Sequence, residues 1–194
     1  MHILRAANYK TMPWKNGMGF TTEIAVSPGA QGLDGFDWRI SMARVEADGP
    51  FSLFPDIDRT LLVLQGDGID LSVADREPVR LDRDSIHCFP GDQAAFATLV
   101  GGPIVDLNIM TRRGQFRHSV SRFDVSGVEV LPVPVSLVMI FVERGIVTIA
   151  AGPARDVLAQ RDAVLLTPST DEVRIESTAP ARLVMIVLER SPIS

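Results

Sequence analysis

Residues 59–74 read RTLLVLQGDGIDLSVA, two apolar runs joined by the turn Gln65-Gly66-Asp67-Gly68. Short runs rich in Val, Ile and Leu on either side of a glycine turn predict a β-hairpin. Four further runs of this composition predict strands: Ile104–Thr111, Leu137–Glu143, Gly145–Ala150 and Arg182–Leu188. No window of about a dozen residues has a helical period. Many short strands at close spacing predict an all-β barrel or sandwich.

The composition excludes several classes of protein. The 194 residues are 46% hydrophobic and 22% charged, enough apolar sequence for the core of one large domain or two small ones. The net charge of −5 predicts no nucleic-acid partner. The longest apolar run, Leu131 to Val142, contains two prolines and is too short to cross a membrane. Because Cys88 is the single cysteine and the first residues lack a signal-peptide stretch, we expect a cytoplasmic protein.

The chain resembles itself at a constant offset of 77 residues. Residues 59–113 align without a gap on residues 136–190. The aligned pairs include Gly68 with Gly145 and Pro103 with Pro180. Few aligned positions are identical, but the shared strand–turn–strand rhythm predicts an internal duplication.

Alternation along the predicted strand at 104–112 separates a polar face from an apolar one. The polar face carries Asp106, Asn108, Met110 and Arg112. The aligned positions of the second copy carry Leu183, Met185 and Val187, and Arg59 aligns with Ser136. Because a small barrel is either filled by side chains or left open for one ligand, we expect a pocket in the first copy and a filled second copy. The alternative is that this polar face is exposed to solvent.

Two arginines on predicted strands stand beside aromatic segments. Arg39 follows Phe36–Trp38, Arg59 follows Phe51–Pro55, and we expect these segments to exclude water. A guanidinium in such a site can bind a carboxylate through two parallel hydrogen bonds. The alternative is that both arginines are solvated, as arginines on strands often are.

Two carboxylates are candidate partners of these arginines in the empty site. Glu23 shares a strand face with Thr21, and Asp106 lies on the polar face of the strand at 104–112. Since an unpaired buried charge is costly, we expect both carboxylates to hold the arginines in place. In an enzyme, the same two groups and Lys15 would supply acid–base chemistry.

The segment Trp14-Lys15-Asn16-Gly17 is typical of a turn that enters a strand. It is either a plain surface turn or the rim of a pocket. As a rim, Trp14 would cover a ligand, Lys15 would add positive charge and Asn16 would offer an amide.

Three unusual strings stand in the N-terminal half of the chain. They are Pro13–Ile24, which reads PWKNGMGFTTEI, then Phe36–Ser41 with Gly49–Pro55, and Asp106–Arg112, which reads DLNIMTR. In these strings the chain resembles the HutD/Ves family. The resemblance implies a bicupin, with two small β-barrels in one chain, and a small-molecule-binding regulator linked to bacterial histidine utilisation, with formylglutamate as a candidate ligand. Met18 and Leu107 depart from the family pattern.

The histidines and the cysteine do not form a recognisable catalytic or metal-binding set. Metal-dependent cupins need about three histidines and a carboxylate around one ion, whereas His2, His87 and His118 are scattered. Cys88 follows His87 directly, so the two side chains point to opposite faces of a strand. We therefore expect no metal and a buried, unreactive Cys88.

The strand pattern and the internal duplication predict an all-β chain, and with them the family resemblance implies a bicupin of two small, jelly-roll-like antiparallel β-barrels. Residues 1–113 would form the N-terminal barrel with the ligand pocket. Residues 114–135 would form the connection, and residues 136–194 a C-terminal barrel with a filled core.

The leading functional interpretation is a binding module without catalytic residue, cofactor or metal, which holds a small anionic carboxylate and regulates histidine utilisation. One alternative is a metal-free cupin isomerase or lyase acting on a small carboxylate, and another is a scaffold with a vestigial pocket. We expect no nucleic-acid or membrane partner, and a homodimer is left open. The candidate ligand-binding residues are Trp14, Lys15, Asn16, Thr21, Glu23, Arg39, Arg59, Asp106, Asn108 and Arg112.

Overall fold

The computed structural model describes residues 1–14, 17–30, 35–132, 134–168 and 172–192. Within these ranges the chain consists of β-strands, turns and one short 3-10 helix, Ala6–Asn8, so the predicted all-β class is confirmed. The strands in chain order are β1 (His2–Leu4), β2 (Lys10–Pro13), β3 (Gly19–Val26), β4 (Trp38–Val45), β5 (Gly49–Pro50), β6 (Ile57–Gln65), β7 (Ile69–Val73), β8 (Val79–Leu81), β9 (His87–Pro90), β10 (Ala95–Leu99), β11 (Ile104–Arg112), β12 (Phe116–Leu131), β13 (Leu137–Arg144), β14 (Val147–Ala151), β15 (Ala154–Leu158), β16 (Ala163–Leu166) and β17 (Val173–Arg190). No helix among the described residues is long and apolar enough to span a membrane.

The strands fall into two compact units. The N-terminal unit comprises Lys10–Arg117 with Arg190–Ser194, and the C-terminal unit comprises Met1–Tyr9 with His118–Glu189. These bounds differ from the predicted division into 1–113, 114–135 and 136–194. The first nine residues belong to the C-terminal unit, and most of the predicted connection is the strand β12.

The first nine residues join the C-terminal unit through strand pairing and ion pairs. β1 pairs with β16, and Arg5 lies 2.6 Å from an oxygen of Asp156 and 3.0 Å from one of Asp162. The Tyr9 hydroxyl donates to the backbone carbonyl of Arg161 at 2.9 Å. These contacts join residues about 150 positions apart, which is why the local sequence pattern did not predict them.

The N-terminal unit contains a six-stranded and a four-stranded antiparallel sheet. Their strand orders are β2-β3-β4-β11-β6-β9 and β5-β10-β7-β8. Alternation directs Leu61 and Val63 of β6 and Leu71 and Val73 of β7 into one apolar cluster, so the two sheets enclose a common core. Because β11 lies between β4 and β6, its inward face is central in this unit.

The described strands of the C-terminal unit form one sheet. Its order is β1-β16-β13-β17-β14-β15, and β12 pairs with β17. The first half of β17 pairs with β14 and the second half with β13. Val138 and Leu183 belong to its buried apolar cluster, and Met185 packs against that cluster.

The two units share a strand register but not a gapless sequence alignment. Asn108 pairs with Leu61 in the N-terminal unit, and Met185 pairs with Ile140 in the C-terminal unit. Asn108 and Met185 are 77 positions apart, whereas Leu61 and Ile140 are 79 apart. The predicted alignment without a gap is therefore wrong, because the segment from Leu61 to Asn108 is two residues longer than the segment from Ile140 to Met185.

A β-bulge marks the same place in both units. It leaves Leu64 of β6 without an opposite residue in β11, and Glu143 of β13 without one in β17. With the register corrected, Gly145 aligns with Gly66 rather than Gly68. The shared bulge and register are features expected of an internal duplication.

The same correction changes the partner of Arg59 in the alignment. Arg59 corresponds to Val138, not to Ser136 as the gapless alignment predicted. Val138 lies in the apolar cluster of the C-terminal unit, so the polar face of the N-terminal unit is replaced there by buried apolar side chains.

Candidate functional site

Polar side chains of the N-terminal unit lie in adjacent rows on the inward face of three neighbouring strands. Met110 of β11 pairs with Arg39 of β4 on one side and with Arg59 of β6 on the other. In the next row, Asn108 pairs with Ser41. Residues paired across antiparallel strands point to the same face, so these side chains converge.

These side chains line a cavity of about 520 Å³. Its polar wall comprises Thr21, Arg39, Ser41, Ser52, Arg59 and Asn108. Its apolar wall includes Trp14, Met18, Phe51, Phe54, Ala97 and Met110. Arg39 and Arg59 are only 4% and 5% exposed, whereas Met12 and Pro50, which also line the cavity, are exposed. The two cations therefore lie at the inner end of the cavity.

Arg59 is a buried cation without a carboxylate partner in the part of the chain that the structure describes. Its Nη2 donates to Asn108 Oδ1 at 2.6 Å, and its Nη1 donates to the carbonyl of Ser52 at 3.3 Å. Three rings surround the guanidinium, at Cζ-to-centroid distances of 4.9 Å for Phe51, 5.1 Å for Phe89 and 5.7 Å for Phe54. None of the ion pairs among the described residues includes Arg59. Burial lowers the pKa of Arg59 to about 10, because the cation has left water without a full counter-charge.

Asp106 lies behind Asn108 and does not line the cavity. Its Oδ1 accepts hydrogen bonds from Asn108 Nδ2 at 2.6 Å and from the backbone N–H of Ala43 at 3.2 Å. Its Oδ2 is buried without a hydrogen-bond partner among the described residues. Burial raises the pKa of Asp106 to about 7, although Arg59 and the two N–H donors act in the opposite direction.

Arg39, in contrast to Arg59, has a carboxylate partner. Its Nε donates to Glu23 Oε2 at 2.9 Å, and the two side chains are 5% and 25% exposed. Its Nη2 is buried without a hydrogen-bond partner in the described part of the chain. The inner end of the cavity therefore combines one guanidinium that is paired with a carboxylate and one that, among the described residues, is not.

The structure brings most of the predicted site residues together. Five of them line the cavity: Trp14, Thr21, Arg39, Arg59 and Asn108. Trp14 is held in the wall because its Nε1 donates to Thr21 Oγ1 at 2.8 Å. Glu23 and Asp106 contact the lining residues without lining the cavity themselves. Lys15 and Asn16 lie outside the described residues, so their roles stay predictions.

Arg112 does not reach the cavity, although alternation places it on the same strand face as Asn108. Its Nε donates to the carbonyl of Phe36 at 3.1 Å, and its Cζ lies 6.0 Å from the Phe36 ring centroid. Phe36, Ile57 and Met110 form a small buried cluster at this end of the unit. This cluster separates Arg112 from the two inner arginines.

Sequence reasoning missed part of the lining. Ser41 shares a face with Arg39 and is 2% exposed, so alternation carried a signal for it. Ala97 reaches the cavity from the other sheet, and Ala47 from the loop between β4 and β5. No local pattern could have found these two, because their positions depend on how the sheets pack.

The residues at the cavity do not fit a metal ion. Among the described residues no group of three His, Cys, Asp or Glu side chains is close enough to hold one. Two guanidinium groups would also repel a divalent cation at the inner end.

The prediction of a buried Cys88 is wrong, because Cys88 is exposed. β9 is an edge strand and alternation turns Cys88 outward, with its Sγ 3.0 Å from Thr60 Oγ1.

The fold and the cavity together define a class of protein. The chain is similar to the Cupin 2 conserved barrel domain protein from Leptotrichia buccalis, with a TM-score of 0.61 over 92% of each chain, and at 9% identity this likeness concerns the fold alone. The protein thus has a cupin-like all-β fold with a cavity that is cationic at its inner end. The HutD family model matches residues 6–185, and the chain belongs to the HutD family.

Relatives and solved structures agree with this family. The chain is 44% identical over 126 residues to an uncharacterised 21.2 kDa protein in the hutC 3′ region of Pseudomonas putida, and 39% identical over 108 residues to protein Ves of Citrobacter koseri. These alignments cover 64% and 55% of this chain, and only 65% and 56% of the two relatives.

Two solved structures are similar over nearly the whole chain. A conserved protein of unknown function from Pseudomonas aeruginosa PAO1 has a TM-score of 0.91 and 33% identity, and the match covers 97% of this chain and 98% of that one. HutD from Pseudomonas fluorescens SBW25, in a formate condition, has a TM-score of 0.83 and 28% identity, with 98% of both chains covered.

Proposed function

We propose that this protein is a bicupin that binds a small carboxylate in the N-terminal unit and regulates histidine utilisation, with formylglutamate as the ligand. The observation that carries the proposal is Arg59, a buried guanidinium at the inner end of the cavity that has no carboxylate partner among the described residues. A buried charge without a full counter-charge is costly, and the partial influence of Asp106 does not restore the pKa of Arg59. An anion in the cavity would supply the missing counter-charge.

The hydrogen-bonding capacity around Arg59 suits a carboxylate. Within the described ranges, Arg39 Nη2 and Arg59 Nε are both buried N–H groups without a hydrogen-bond partner. The two arginines flank Met110 in one row of the sheet and line the same cavity, so we expect one small ligand to contact both. Arginine binds carboxylates through paired hydrogen bonds, which gives both affinity and orientation.

The lining supports binding rather than catalysis. No described residue of the cavity wall carries a carboxylate, an imidazole or a thiol. The nearest acid–base groups, Glu23 and Asp106, are each engaged by an arginine or an amide and stand behind the wall. The metal-free isomerase or lyase that the sequence left open gains no support from this arrangement.

The two-barrel architecture is the other part of the proposal. The two units repeat one strand register and one β-bulge, and a cupin barrel protein is similar to the chain over most of its length. Val138 and Leu183 fill the C-terminal unit at the positions of Arg59 and Asp106. We therefore assign ligand binding to the N-terminal barrel and a structural role to the C-terminal barrel.

The regulatory role rests on the relatives. One relative is described by its position in the hutC 3′ region, and a similar structure is named HutD. We infer a sensor that reports the level of a carboxylate formed during histidine degradation. In the host, Arg59→Ala should change the expression of the histidine-degrading enzymes during growth on histidine. Unchanged expression would mean that ligand binding at Arg59 does not regulate these enzymes.

The direct test is calorimetric titration of formylglutamate and of plain glutamate. Loss of a charge-assisted hydrogen bond costs roughly 1.5–3 kcal/mol, so Arg59→Ala should weaken binding by about ten- to a hundredfold. Arg44→Ala is the matched control, because Arg44 lies on the outer face of β4 with its side chain 45% exposed. The proposal fails if the wild type binds neither carboxylate, or if all three proteins bind equally well.

A further inference from the structure

Asp106 lies behind Asn108 and holds the side chain that accepts a hydrogen bond from Arg59. Its Oδ1 accepts from Asn108 Nδ2 at 2.6 Å, and Asn108 Oδ1 accepts from Arg59 Nη2 at 2.6 Å. If the Asn108 amide were rotated by half a turn, its NH2 would face the guanidinium donors and its oxygen would face the carboxylate. Asp106 therefore fixes the orientation in which Asn108 presents an acceptor to Arg59.

The environment of Asp106 is sensitive to any charge added to the cavity. The carboxyl is fully buried, and its Oδ2 has no hydrogen-bond partner among the described residues. Among the described residues of β3, β4 and β6, the charged side chains on the inward face are Glu23, Arg39 and Arg59, and Glu23 pairs with Arg39. Across the core, the residues that β7, β8 and β10 contribute to the apolar cluster of the N-terminal unit carry no charge.

A histidine of β9 also faces this side of the sheet. His87 of β9 pairs with Leu61 and stacks on Phe89, one of the rings around Arg59. Burial lowers its pKa, with a smaller contribution from Arg76. Any test of Asp106 therefore needs a control at His87.

An anion at the arginines would act on Asp106 in two ways. It would repel the negative charge of the carboxylate, and it would offset the positive charge of Arg59 that favours the ionised form. Burial already holds the pKa of Asp106 near 7 in the empty site, so the added anion would raise it into a range where the group gains a proton. The proton would occupy Oδ2, while Oδ1 would keep its two N–H donors.

We propose that Asp106 is a positioning residue that couples ligand binding to proton uptake: the site takes one proton from solvent when a carboxylate binds at Arg59 and returns it when the ligand leaves. This inference rests on the proposed function. In the empty site the ionised Asp106, which lies behind Asn108, offsets the charge of Arg59 only in part. In the occupied site the ligand supplies that charge and Asp106 is neutral.

The experiment counts protons by calorimetry. Formylglutamate is titrated into the wild type at about pH 8 in buffers of different ionisation enthalpy, and the slope of the observed enthalpy gives the number of protons taken up. We expect roughly half a proton or more per ligand, and an affinity that falls about five- to tenfold between about pH 6 and pH 8. The ligand carboxylates are fully ionised over this range, so they do not contribute.

Two variants separate positioning from a purely structural role. Asp106→Asn mimics the neutral acid, so it should bind at pH 6 within about twofold of the wild type, take up no proton and lose the pH dependence. His87→Gln should keep the proton uptake of the wild type. A structural role alone would lower affinity at every pH without changing the proton count.

The outcomes also distinguish this inference from the proposed function. Formylglutamate binding without proton uptake by the wild type, or with unchanged uptake in Asp106→Asn, overturns the role of Asp106 and leaves carboxylate binding standing. Loss of the uptake in His87→Gln assigns the proton to that histidine and likewise overturns it. If the wild type binds no carboxylate, both proposals fail.

Discussion

Glu23 and Arg39 form a diagonal ion pair across neighbouring strands, with Arg39 Nε 2.9 Å from Glu23 Oε2. Glu23 of β3 lies opposite Ser41 of β4, and a register shift follows directly after it. Diagonal neighbours on one sheet face are within reach of long side chains, so Glu23 can contact Arg39. The cavity therefore holds one guanidinium with its own counter-ion and one, Arg59, without.

Removal of the Glu23 charge should have opposite effects on binding and on stability. In Glu23→Gln the net positive charge at the cavity rises, so formylglutamate should bind severalfold more tightly. The free energy of unfolding should fall by about 1–3 kcal/mol, because Arg39 stays buried with a weaker partner. Calorimetry and urea unfolding measure the two effects. Glu46→Gln, which affects an exposed pair with Arg44, should change neither by more than about 1 kcal/mol.

The aromatic rings around Arg59 should contribute to both its stability and its position. Phe51→Leu keeps an apolar side chain but removes the nearest ring, whose centroid lies 4.9 Å from Cζ. We expect a loss of about 1–2 kcal/mol in unfolding free energy and weaker carboxylate binding. Phe96→Leu is the control, because Phe96 is 45% exposed. Equal effects of the two substitutions would show that the ring over Arg59 has no special role.

The corrected alignment of the two units makes a prediction about two glycines. Gly66 and Gly145 have φ angles of 93° and 95°, and an added Cβ would lie 2.7 Å from the Pro103 carbonyl and 2.8 Å from Ala181 Cβ. Gly66→Ala and Gly145→Ala should each lower stability by about 2–4 kcal/mol in urea unfolding. Gly114→Ala tests the backbone term alone, because Gly114 has φ of 76° but open space around it. Its cost should be about 1–2 kcal/mol, and an equal cost at all three sites would contradict the shared close approach.

Much of the site could be predicted because strand alternation is a local property. Arg39 and Ser41 share a face of β4, and Asn108 and Met110 share a face of β11, whatever the rest of the chain does. A closed core between two sheets then brings such faces together. The same rule placed Arg112 in the site incorrectly, because alternation gives the face of a strand but not the point along it where an apolar cluster ends the cavity.

Other features depend on contacts that the sequence does not encode locally. The pairing of β1 with β16 joins residues that lie far apart in the sequence, such as His2 and Leu165, and nothing in three residues of edge strand indicates its partner. The two extra residues between Leu61 and His87, relative to Ile140 and Val164, lie in turns where length varies without cost to the core. A gapless comparison therefore misplaced Arg59 on Ser136, although the polar-to-apolar replacement that it indicated holds at Val138.

Asp106 should make the stability of the empty protein depend on pH in an unusual direction. Its pKa is about 7 in the folded protein, above the value of about 3.9 for a solvated aspartate. Between these two values the folded state binds more protons than the unfolded state, so the free energy of unfolding should fall as pH rises from about 4 to about 7, by a few kcal/mol at most. Asp70 and Asp92, whose pKa values are lowered by hydrogen bonds from Arg80 and Arg113, act with the opposite sign below about pH 4. Urea unfolding from pH 4 to pH 8 should therefore find Asp106→Asn progressively more stable relative to the wild type as pH rises, whereas parallel curves would mean that Asp106 has an ordinary pKa in the folded protein.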